Sequence, residues 1–242
     1  MLRIYFNFVN VIHLHKQLRN RSNKMNTPTH KQLSILVFGA TGGTGSQFVK
    51  LALEAGHRVT AIVRNPAALA QQHPNLRVVK GDAMVLETFS TQVQGHNAVV
   101  SCLGVKKLKP TTVYSVSVAN ILRAMQGTDV SRLLCISSSA IEVSPKLPWV
   151  LRMLTKYVLA RIFKHVYADT RLMEQALKKS NVDWTSVRPP RLTNKPLTEN
   201  YRYAINTFLD KCFQISRADL AHFMLHHLTD RQMIRAVVEV AN

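Results

Sequence analysis

Residues 36–45 read Leu-Val-Phe-Gly-Ala-Thr-Gly-Gly-Thr-Gly, and a stretch of helical period follows them. The apolar run before the first glycine predicts a buried strand that ends at the turn. Gly39, Gly42 and Gly45, spaced as Gly-x-x-Gly-x-x-Gly, allow a tight turn, a close approach of a ligand to bare backbone, and close packing of the helix on the sheet. A pyrophosphate then lies on the helix N-terminus, where unpaired N–H groups and the helix dipole favour negative charge. An ordinary strand-to-helix turn is the alternative, and the context favours a dinucleotide-binding turn.

Short β-branched runs alternate with longer stretches of helical period from Leu33 to the C-terminus. This order is typical of a parallel sheet with crossover helices. We expect an α/β fold, a single doubly wound Rossmann domain with a mostly parallel sheet of six to seven strands and ligands at their carboxyl ends. The predicted strands are Leu33–Phe38, Arg58–Val63, Leu76–Val79, Ala98–Cys102, Arg132–Ile136, Asp183–Val187 and Arg235–Val240. The predicted helices are Thr44–Glu54, Met84–Gln92, Val113–Met125, Arg171–Lys179 and Leu220–Leu228.

The first thirty residues differ from the rest, since they contain five lysines or arginines and no acid. We expect residues 1–30 to be an N-terminal extension, either disordered or the result of a translation start placed before Met25, and we expect its first 24 residues to be dispensable. A targeting peptide is the alternative, although Asn7 and Asn10 interrupt its apolar region. Residues 31–242 then form the dinucleotide-binding domain, whose C-terminal segments cover the substrate.

Length, composition and charge limit the kinds of protein that this sequence can encode. The chain of 242 residues has the length of one large domain, and 46% hydrophobic residues suffice for a core. Polar residues interrupt every apolar stretch, and the three separate cysteines indicate neither disulfides nor a metal cluster. The net charge of +19 is spread along the chain, which favours solvated surface and anionic small molecules over nucleic acid. We expect a cytoplasmic protein, monomeric or weakly dimeric, with no metal and with no nucleic-acid or membrane partner.

The residue after the second predicted strand indicates which dinucleotide binds. About twenty residues past the glycine turn, an NAD-specific protein usually carries an acid that accepts a hydrogen bond from the adenosine ribose. Here Arg64 stands at that position. A guanidinium complements a 2′-phosphate through charge-assisted hydrogen bonds, so NADP(H) is expected rather than NAD(H), unless Arg64 is only a surface arginine.

Several tracts together resemble the atypical short-chain dehydrogenase/reductase superfamily. They are the glycine turn, Val63-Arg64, Lys80-Gly81-Asp82, Cys102-Leu103-Gly104 and Trp184-Thr185-Ser186-Val187-Arg188-Pro189-Pro190. Within it, the chain is most similar to the biliverdin reductase B family, also called NADPH-dependent flavin reductases. This narrower resemblance rests on Lys109-Pro110-Thr111-Thr112-Val113, on Pro196-Leu197-Thr198 and on Ile215-Ser216-Arg217-Ala218-Asp219-Leu220.

The resemblance implies roles for individual positions. It assigns the pyrophosphate to Gly39, Thr41, Gly42, Gly43, Thr44 and Gly45, the 2′-phosphate to Arg64, the adenine to Asp82 and Ala83, and the nicotinamide side to Leu103 and Gly104. Cys135-Ile136-Ser137 matches the family's Cys-x-Ser, whose serine lies beside the nicotinamide and the substrate. Ser137 is therefore the catalytic candidate, although it could instead only satisfy backbone groups at the strand end. Cys135 is expected to be a buried core residue.

The sequence departs from the family pattern at three places. The family's second arginine after strand two falls on Ala68, its histidine after the Pro-Pro pair falls on Arg191, and the loop after strand four is one residue shorter. Pro190 and Arg191 lie where the resemblance places the substrate pocket. With Lys106, Lys107 and Lys109, Arg191 suits an anionic group such as a flavin phosphate or a tetrapyrrole propionate, although the lysines fit a solvated loop equally well.

The acid–base pair of typical short-chain dehydrogenases, Tyr-x-x-x-Lys, is absent from the sequence. Tyr157 and Tyr167 have an arginine four residues later instead, and His222 and His226 have helical spacing without the acid of a zinc site. We therefore expect an NADPH-dependent reductase that transfers hydride to FMN, another flavin or a biliverdin-like tetrapyrrole, with the chemistry carried mostly by the two ring systems. The alternatives are a non-catalytic NADP(H) sensor of the NmrA-like type and a dinucleotide-dependent epimerase.

Overall fold

A mostly parallel sheet forms the centre of the structure, a computed structural model that describes residues 31–105 and 109–242. Its strands follow the order β3-β2-β1-β4-β5-β6-β10-β8, and the edge strand β8 is antiparallel to β10. A separate parallel pair joins β7 to β9. The strands are β1 (Ser34–Phe38), β2 (Arg58–Val63), β3 (Leu76–Lys80), β4 (Ala98–Ser101), β5 (Arg132–Ile136), β6 (Asp183–Arg188), β7 (Arg191–Thr193), β8 (Arg202–Ile205), β9 (Gln214–Ser216) and β10 (Ala236–Ala241).

Helices cover both faces of this sheet. They are α1 (Gly43–Glu54), α2 (Val113–Met125), α3 (Trp149–Met153), α4 (Ala160–Ile162), α5 (Lys164–Lys179) and α6 (Arg217–His226), and a π-helical turn, Leu154–Leu159, joins α3 to α4. Helices α1 and α6 pack together over one face, and α2 and α5 pack together over the other. The expected doubly wound α/β domain is confirmed, and its sheet has eight strands, one more than the expected upper limit.

The central strands are apolar at nearly every position because each face of the sheet has its own core. Ile35 and Val37 of β1 belong to the core under α1 and α6, whereas Leu36 and Phe38 belong to the core under α2 and α5. Successive side chains of a strand point to opposite faces, so a strand buried on both sides has no polar alternation. The run before the glycine turn therefore marks the centre of the sheet.

One helix prediction was wrong, one helix was predicted too short, and one helical run was not predicted. Met84–Gln92 forms the 3-10 turns Leu86–Thr88 and Ser90–Gln92 instead of an α-helix. The hydroxyl of Thr88 accepts the N–H of Asp82 at 2.9 Å and donates to the carbonyl of Val85 at 2.7 Å, which competes with regular helical bonding. Helix α5 begins at Lys164, seven residues before the predicted Arg171, and the helical run Trp149–Ile162 was not predicted.

The predictions for residues 1–30 and for Lys106 and Lys107 lie outside the described residues. Residues Leu33–Asn242 form one compact unit. In the described part of the chain, no helix is long and apolar enough to cross a bilayer.

Candidate functional site

The order of the strands reverses at β1, because the chain passes from β3 on one side to β4 on the other. Ligands of open α/β sheets bind outside the carboxyl ends of the strands at such a point. A cavity of about 1170 Å³ lies at this edge. Its lining brings together eight of the predicted site residues, which are Gly42, Gly43, Thr44, Leu103, Gly104, Ser137, Pro190 and Arg191.

The glycine turn has the geometry that close packing requires. Gly39 follows β1 directly and has a φ of 77°, and a Cβ there would lie 2.6 Å from the carbonyl oxygen of Cys102. A Cβ at Gly45 would lie 2.1 Å from the carbonyl oxygen of Gly39. Within the described part of the chain, no side chain caps the N-terminus of α1, whose first N–H groups also lack intrahelical acceptors. The turn therefore offers bare backbone and a helix N-terminus to an anion.

Arg217 lies against this turn, a role that its sequence context did not predict. A Cβ at Gly43 would lie only 2.6 Å from Cδ of Arg217. Ser216 fixes the start of α6 by accepting the N–H of Asp219 at 2.9 Å, and the Arg217 guanidinium donates to Oδ1 of Asn194 at 2.6 Å. The cavity thus has a cation beside the helix N-terminus.

The residues predicted for the adenosine end follow β2 and β3 at the same edge of the sheet. Arg64 is exposed directly after β2, and Asp82 is half-buried shortly after β3. Asp82 accepts the N–H of Met84 at 3.0 Å, and the carbonyl of Ala83 accepts a hydrogen bond from Asn120 at 3.1 Å. These residues, like Gly39, Thr41 and Gly45, are not among those that line the cavity. Their roles remain predictions.

Ser137 follows β5 and is buried in the wall of the cavity. Its hydroxyl donates a hydrogen bond of 2.8 Å to Oε1 of Glu174 on α5, and its N–H donates to the carbonyl of Val187 at 2.7 Å. The hydroxyl of Ser186 donates to the same carboxylate oxygen at 2.7 Å. Because the O–H of Ser137 donates to Glu174, the hydroxyl oxygen can act towards the cavity only as a hydrogen-bond acceptor.

Arg188 completes this network by holding two carboxylates. Its guanidinium donates to Glu174 through Nε at 2.9 Å and to both carboxylate oxygens of Glu142 at 2.9 and 3.0 Å. Burial alone would raise the pKa of Glu174, but the hydrogen bonds and charge of Arg188, with the two serine hydroxyls, hold that pKa below its ordinary value. Glu174 is therefore an ionised acceptor that fixes the orientation of the Ser137 hydroxyl.

Two tyrosines and Arg191 form further parts of the cavity wall. Tyr114 of α2 and Tyr167 of α5 line it, and burial raises the pKa of each phenol. Arg171, four residues after Tyr167, donates through Nε to the carbonyl of Ile141 at 3.1 Å. Arg191 is exposed, and its Nη2 donates to Oε1 of Gln214 at 3.0 Å. Tyr114 was not predicted from the sequence, because only the position of α2 brings its side chain to the site.

Other candidate residues lie away from the cavity lining. Tyr157 and Lys109 are exposed, and neither lines the cavity. Nδ1 of His222 is hydrogen-bonded to the hydroxyl of Tyr201 at 2.8 Å, so this histidine has a structural role. Among the described residues, no group of three His, Cys, Asp or Glu side chains could hold a metal ion. Cys135 is fully buried and burial raises its thiol pKa, so it belongs to the core.

Known proteins resemble this chain in sequence or in fold. The chain is 26% identical over 179 residues to an uncharacterized chloroplastic protein of Arabidopsis thaliana, and the match covers 70% of this chain and 63% of that protein. The chain therefore spans less than two thirds of that relative. Among solved structures, the anaerobilin reductase ChuY from Escherichia coli O157:H7 has a TM-score of 0.70 at 21% identity, covering 86% of this chain and 96% of that one.

A protein from Streptococcus pneumoniae TIGR4, provisionally named an NADH-flavin reductase, superposes with a TM-score of 0.67 at 22% identity, over 87% of this chain and 99% of that one. At these identities the two structures establish the fold alone. The resemblance to atypical short-chain dehydrogenase/reductases is confirmed. The sequence profile of the NAD(P)H-binding family matches residues 39–231, so the chain belongs to that family of Rossmann-fold proteins.

Proposed function

We propose that the protein is an NADPH-dependent reductase that delivers hydride to a flavin or to a similar aromatic acceptor. The observation that carries the proposal is that the glycine turn and Ser137 line one and the same cavity. Its volume of about 1170 Å³ exceeds the about 300–1,000 Å³ of an ordinary small-molecule site. Two ring systems can therefore share it. The flavin and anaerobilin reductases with the same fold support this reading.

The residues of the turn fit a dinucleotide. Gly39 and Gly45 allow the backbone of the turn to pack closely, because a Cβ at either position would clash with a backbone carbonyl oxygen, and Arg217 adds positive charge beside the helix N-terminus. We assign the pyrophosphate to this turn and the 2′-phosphate to Arg64. When bound, the dinucleotide supplies the hydride that the acceptor takes.

The chain's own residues orient and shield the reactants in this proposal. Ser137 accepts a hydrogen bond from an N–H group, either of the nicotinamide carboxamide or of the acceptor ring, because its own O–H already donates to Glu174. Leu103 lies where the resemblance places the nicotinamide, and other apolar residues, Leu151, Leu154 and Leu159, also line the cavity. Hydride transfer between two rings depends more on close stacking and on the exclusion of water than on a strong protein acid.

Arg191 selects the acceptor by charge. It stands at the cavity wall next to Pro190, and its guanidinium can hold a phosphate or a propionate. FMN and biliverdin-like tetrapyrroles carry such groups, so they are the acceptors we propose.

A direct assay tests this function. Purified protein is mixed with NADPH and FMN, and the absorbance of the nicotinamide band is followed against a reaction without acceptor and one with heat-denatured protein. We expect oxidation that requires both the folded protein and the acceptor. Tight NADPH binding in a fluorescence titration, without oxidation in the presence of FMN, riboflavin or biliverdin, would overturn the proposal in favour of a sensor.

A further inference from the structure

The helical run from Trp149 to Ile162 exposes an unusual amount of apolar surface. Eight of the thirteen large hydrophobic side chains that are exposed among the described residues lie in it. Trp149 is 76% exposed, Tyr157 is 57% exposed and Ile162 is 50% exposed. We call this run the 149–162 segment, and its outward apolar side chains are Trp149, Val150, Met153, Tyr157, Val158 and Ile162. Exposed apolar patches of this kind mark interaction sites.

The same segment is basic and free of acid. From residue 143 to residue 168 the sequence contains five lysines or arginines and no aspartate or glutamate. Arg152, Lys156 and Arg161 lie within the segment, and all three are exposed. Cations therefore alternate with the apolar residues along one short helical run.

We propose that the 149–162 segment docks on the surface of an anionic lipid bilayer. Apolar side chains that include an exposed tryptophan, flanked by Lys and Arg, characterise helices that lie in the membrane interface. Anionic headgroups complement the basic residues, at about 1 kcal/mol for each Lys or Arg near the surface. The sequence alone led us to expect no membrane partner, because its basic residues are spread along the whole chain and polar residues interrupt every apolar stretch. Interfacial docking needs no spanning helix.

Charge argues against the other occupants of this face. In a symmetric dimer about this segment, Arg152, Lys156 and Arg161 would face the same acid-free segment of the second copy. A nucleic acid would satisfy the cations but would leave Trp149, Met153 and Ile162 against phosphates. A bilayer accommodates both the apolar and the basic side chains.

Vesicle binding by the full chain tests the proposal without any enzymatic turnover, so its outcome is independent of the reductase assay. The vesicles are phosphatidylcholine alone or phosphatidylcholine with 30% phosphatidylserine. We expect flotation with the anionic vesicles only, and weaker binding in high salt. Trp149 gives a second readout, because the chain has only two tryptophans and the other, Trp184, is buried. Its fluorescence should shift to the blue with anionic vesicles, and Trp149→Phe should remove this shift.

Matched variants separate this segment from the basic residues elsewhere, including those at the N-terminus. Arg152→Gln/Lys156→Gln/Arg161→Gln should weaken partitioning on the order of a hundredfold, from about 1 kcal/mol per charge. The control, Arg58→Gln/Arg123→Gln/Lys179→Gln, removes the same charge from exposed positions on β2, α2 and α5 and should bind nearly as well as the parent. Thermal unfolding checks that both triple variants are folded.

Three results would overturn the proposal. They are no binding of the parent chain to anionic vesicles, equal losses in the two triple variants, and a dimer that Trp149→Ser converts to a monomer while vesicle binding is unchanged. The last result would assign the face to a second copy of the chain.

Discussion

The hydroxyl of Ser137 lies 2.8 Å from Oε1 of Glu174, a carboxylate that is itself held by Arg188 and by the hydroxyl of Ser186. Ser137 lines the cavity, whereas Ser186 is fully buried in β6 and does not. The two serines therefore donate to the same oxygen atom from different places. This pair allows the role of Ser137 towards a ligand to be separated from its role in the network.

Replacement of each serine by alanine makes that separation. Ser137→Ala should lower kcat/KM for FMN reduction about ten- to a hundredfold, because the loss of an orienting hydrogen bond costs about 1–3 kcal/mol. Ser186→Ala removes an equivalent donor to Glu174 and should leave kcat/KM within about threefold of the parent, since it touches no ligand. Equal losses of kcat/KM in both variants would show that Ser137 acts only through the structure of the network.

The sequence predicted the parts of this site that depend on local backbone rules. The glycine turn, the strand before it and the helix after it have strict spacing requirements, so β1 and α1 were located to within one residue. The family resemblance indicated Ser137 through a short motif, Cys135-Ile136-Ser137, and such a motif can be recognised because its residues are adjacent at the end of β5. Its partner Glu174 was not found.

Contacts between distant elements explain what the sequence did not reveal. Glu174 is 37 residues from Ser137, and Arg217 reaches Gly43 only because α6 packs beside α1. The helical run Trp149–Ile162 was missed for a different reason. Its leucines line the cavity while its other apolar side chains face outward, so its sequence lacks the single apolar stripe by which a surface helix is recognised.

The ion pair between Glu142 and Arg188 should make stability depend on pH. The hydrogen bond from Arg188 holds the pKa of Glu142 below its ordinary value of 4.5. A depressed pKa stabilises the folded state above the unfolded pKa, and this contribution is lost as the pH falls through the folded pKa. The urea midpoint of Glu142→Gln should therefore fall less steeply than that of the parent between about pH 5 and pH 3.

Glu54→Gln is the control for this titration. Glu54 lies 3.9 Å from Lys50 in an exposed pair, which contributes little to stability. Its urea midpoint should follow the parent curve. If Glu142→Gln follows that curve too, the pair with Arg188 does not contribute to acid stability.

Arg64 should determine the preference for NADPH over NADH. Arg64→Asp removes a phosphate contact and adds a repulsive charge, so NADPH binding should weaken by about 2–4 kcal/mol while NADH binding changes little. Arg58→Asp is the matched control, since it makes the same charge change at the start of β2, about 20 Å away along the strand. Fluorescence titration measures both dissociation constants. Equal weakening of NADPH and NADH by Arg64→Asp would exclude it as the specificity residue.

Arg191 should discriminate between acceptors that differ only in a phosphate. Arg191→Ala should raise the KM for FMN about tenfold and leave the KM for riboflavin nearly unchanged, because riboflavin has no phosphate to lose. Lys195→Ala removes an exposed cation four residues away that does not line the cavity, and it should alter neither value. The same rise for both acceptors would mean that Arg191 supports the shape of the wall instead of binding the phosphate.

The tyrosines decide between direct hydride transfer and acid–base dehydrogenase chemistry. Tyr167 lines the cavity, but burial raises its pKa and the charge of Arg171 offsets this only in part, so its phenol remains a weak acid. Tyr157 is exposed and does not line the cavity. If the acceptor ring takes hydride directly and collects its proton from water, Tyr167→Phe should keep most of the kcat/KM measured with saturating NADPH. Tyr157→Phe, the matched control outside the cavity, should keep all of it. Loss of turnover in Tyr167→Phe, with Ser137→Ala nearly silent, would require Tyr167 to donate the proton and would place dehydrogenase or epimerase chemistry first.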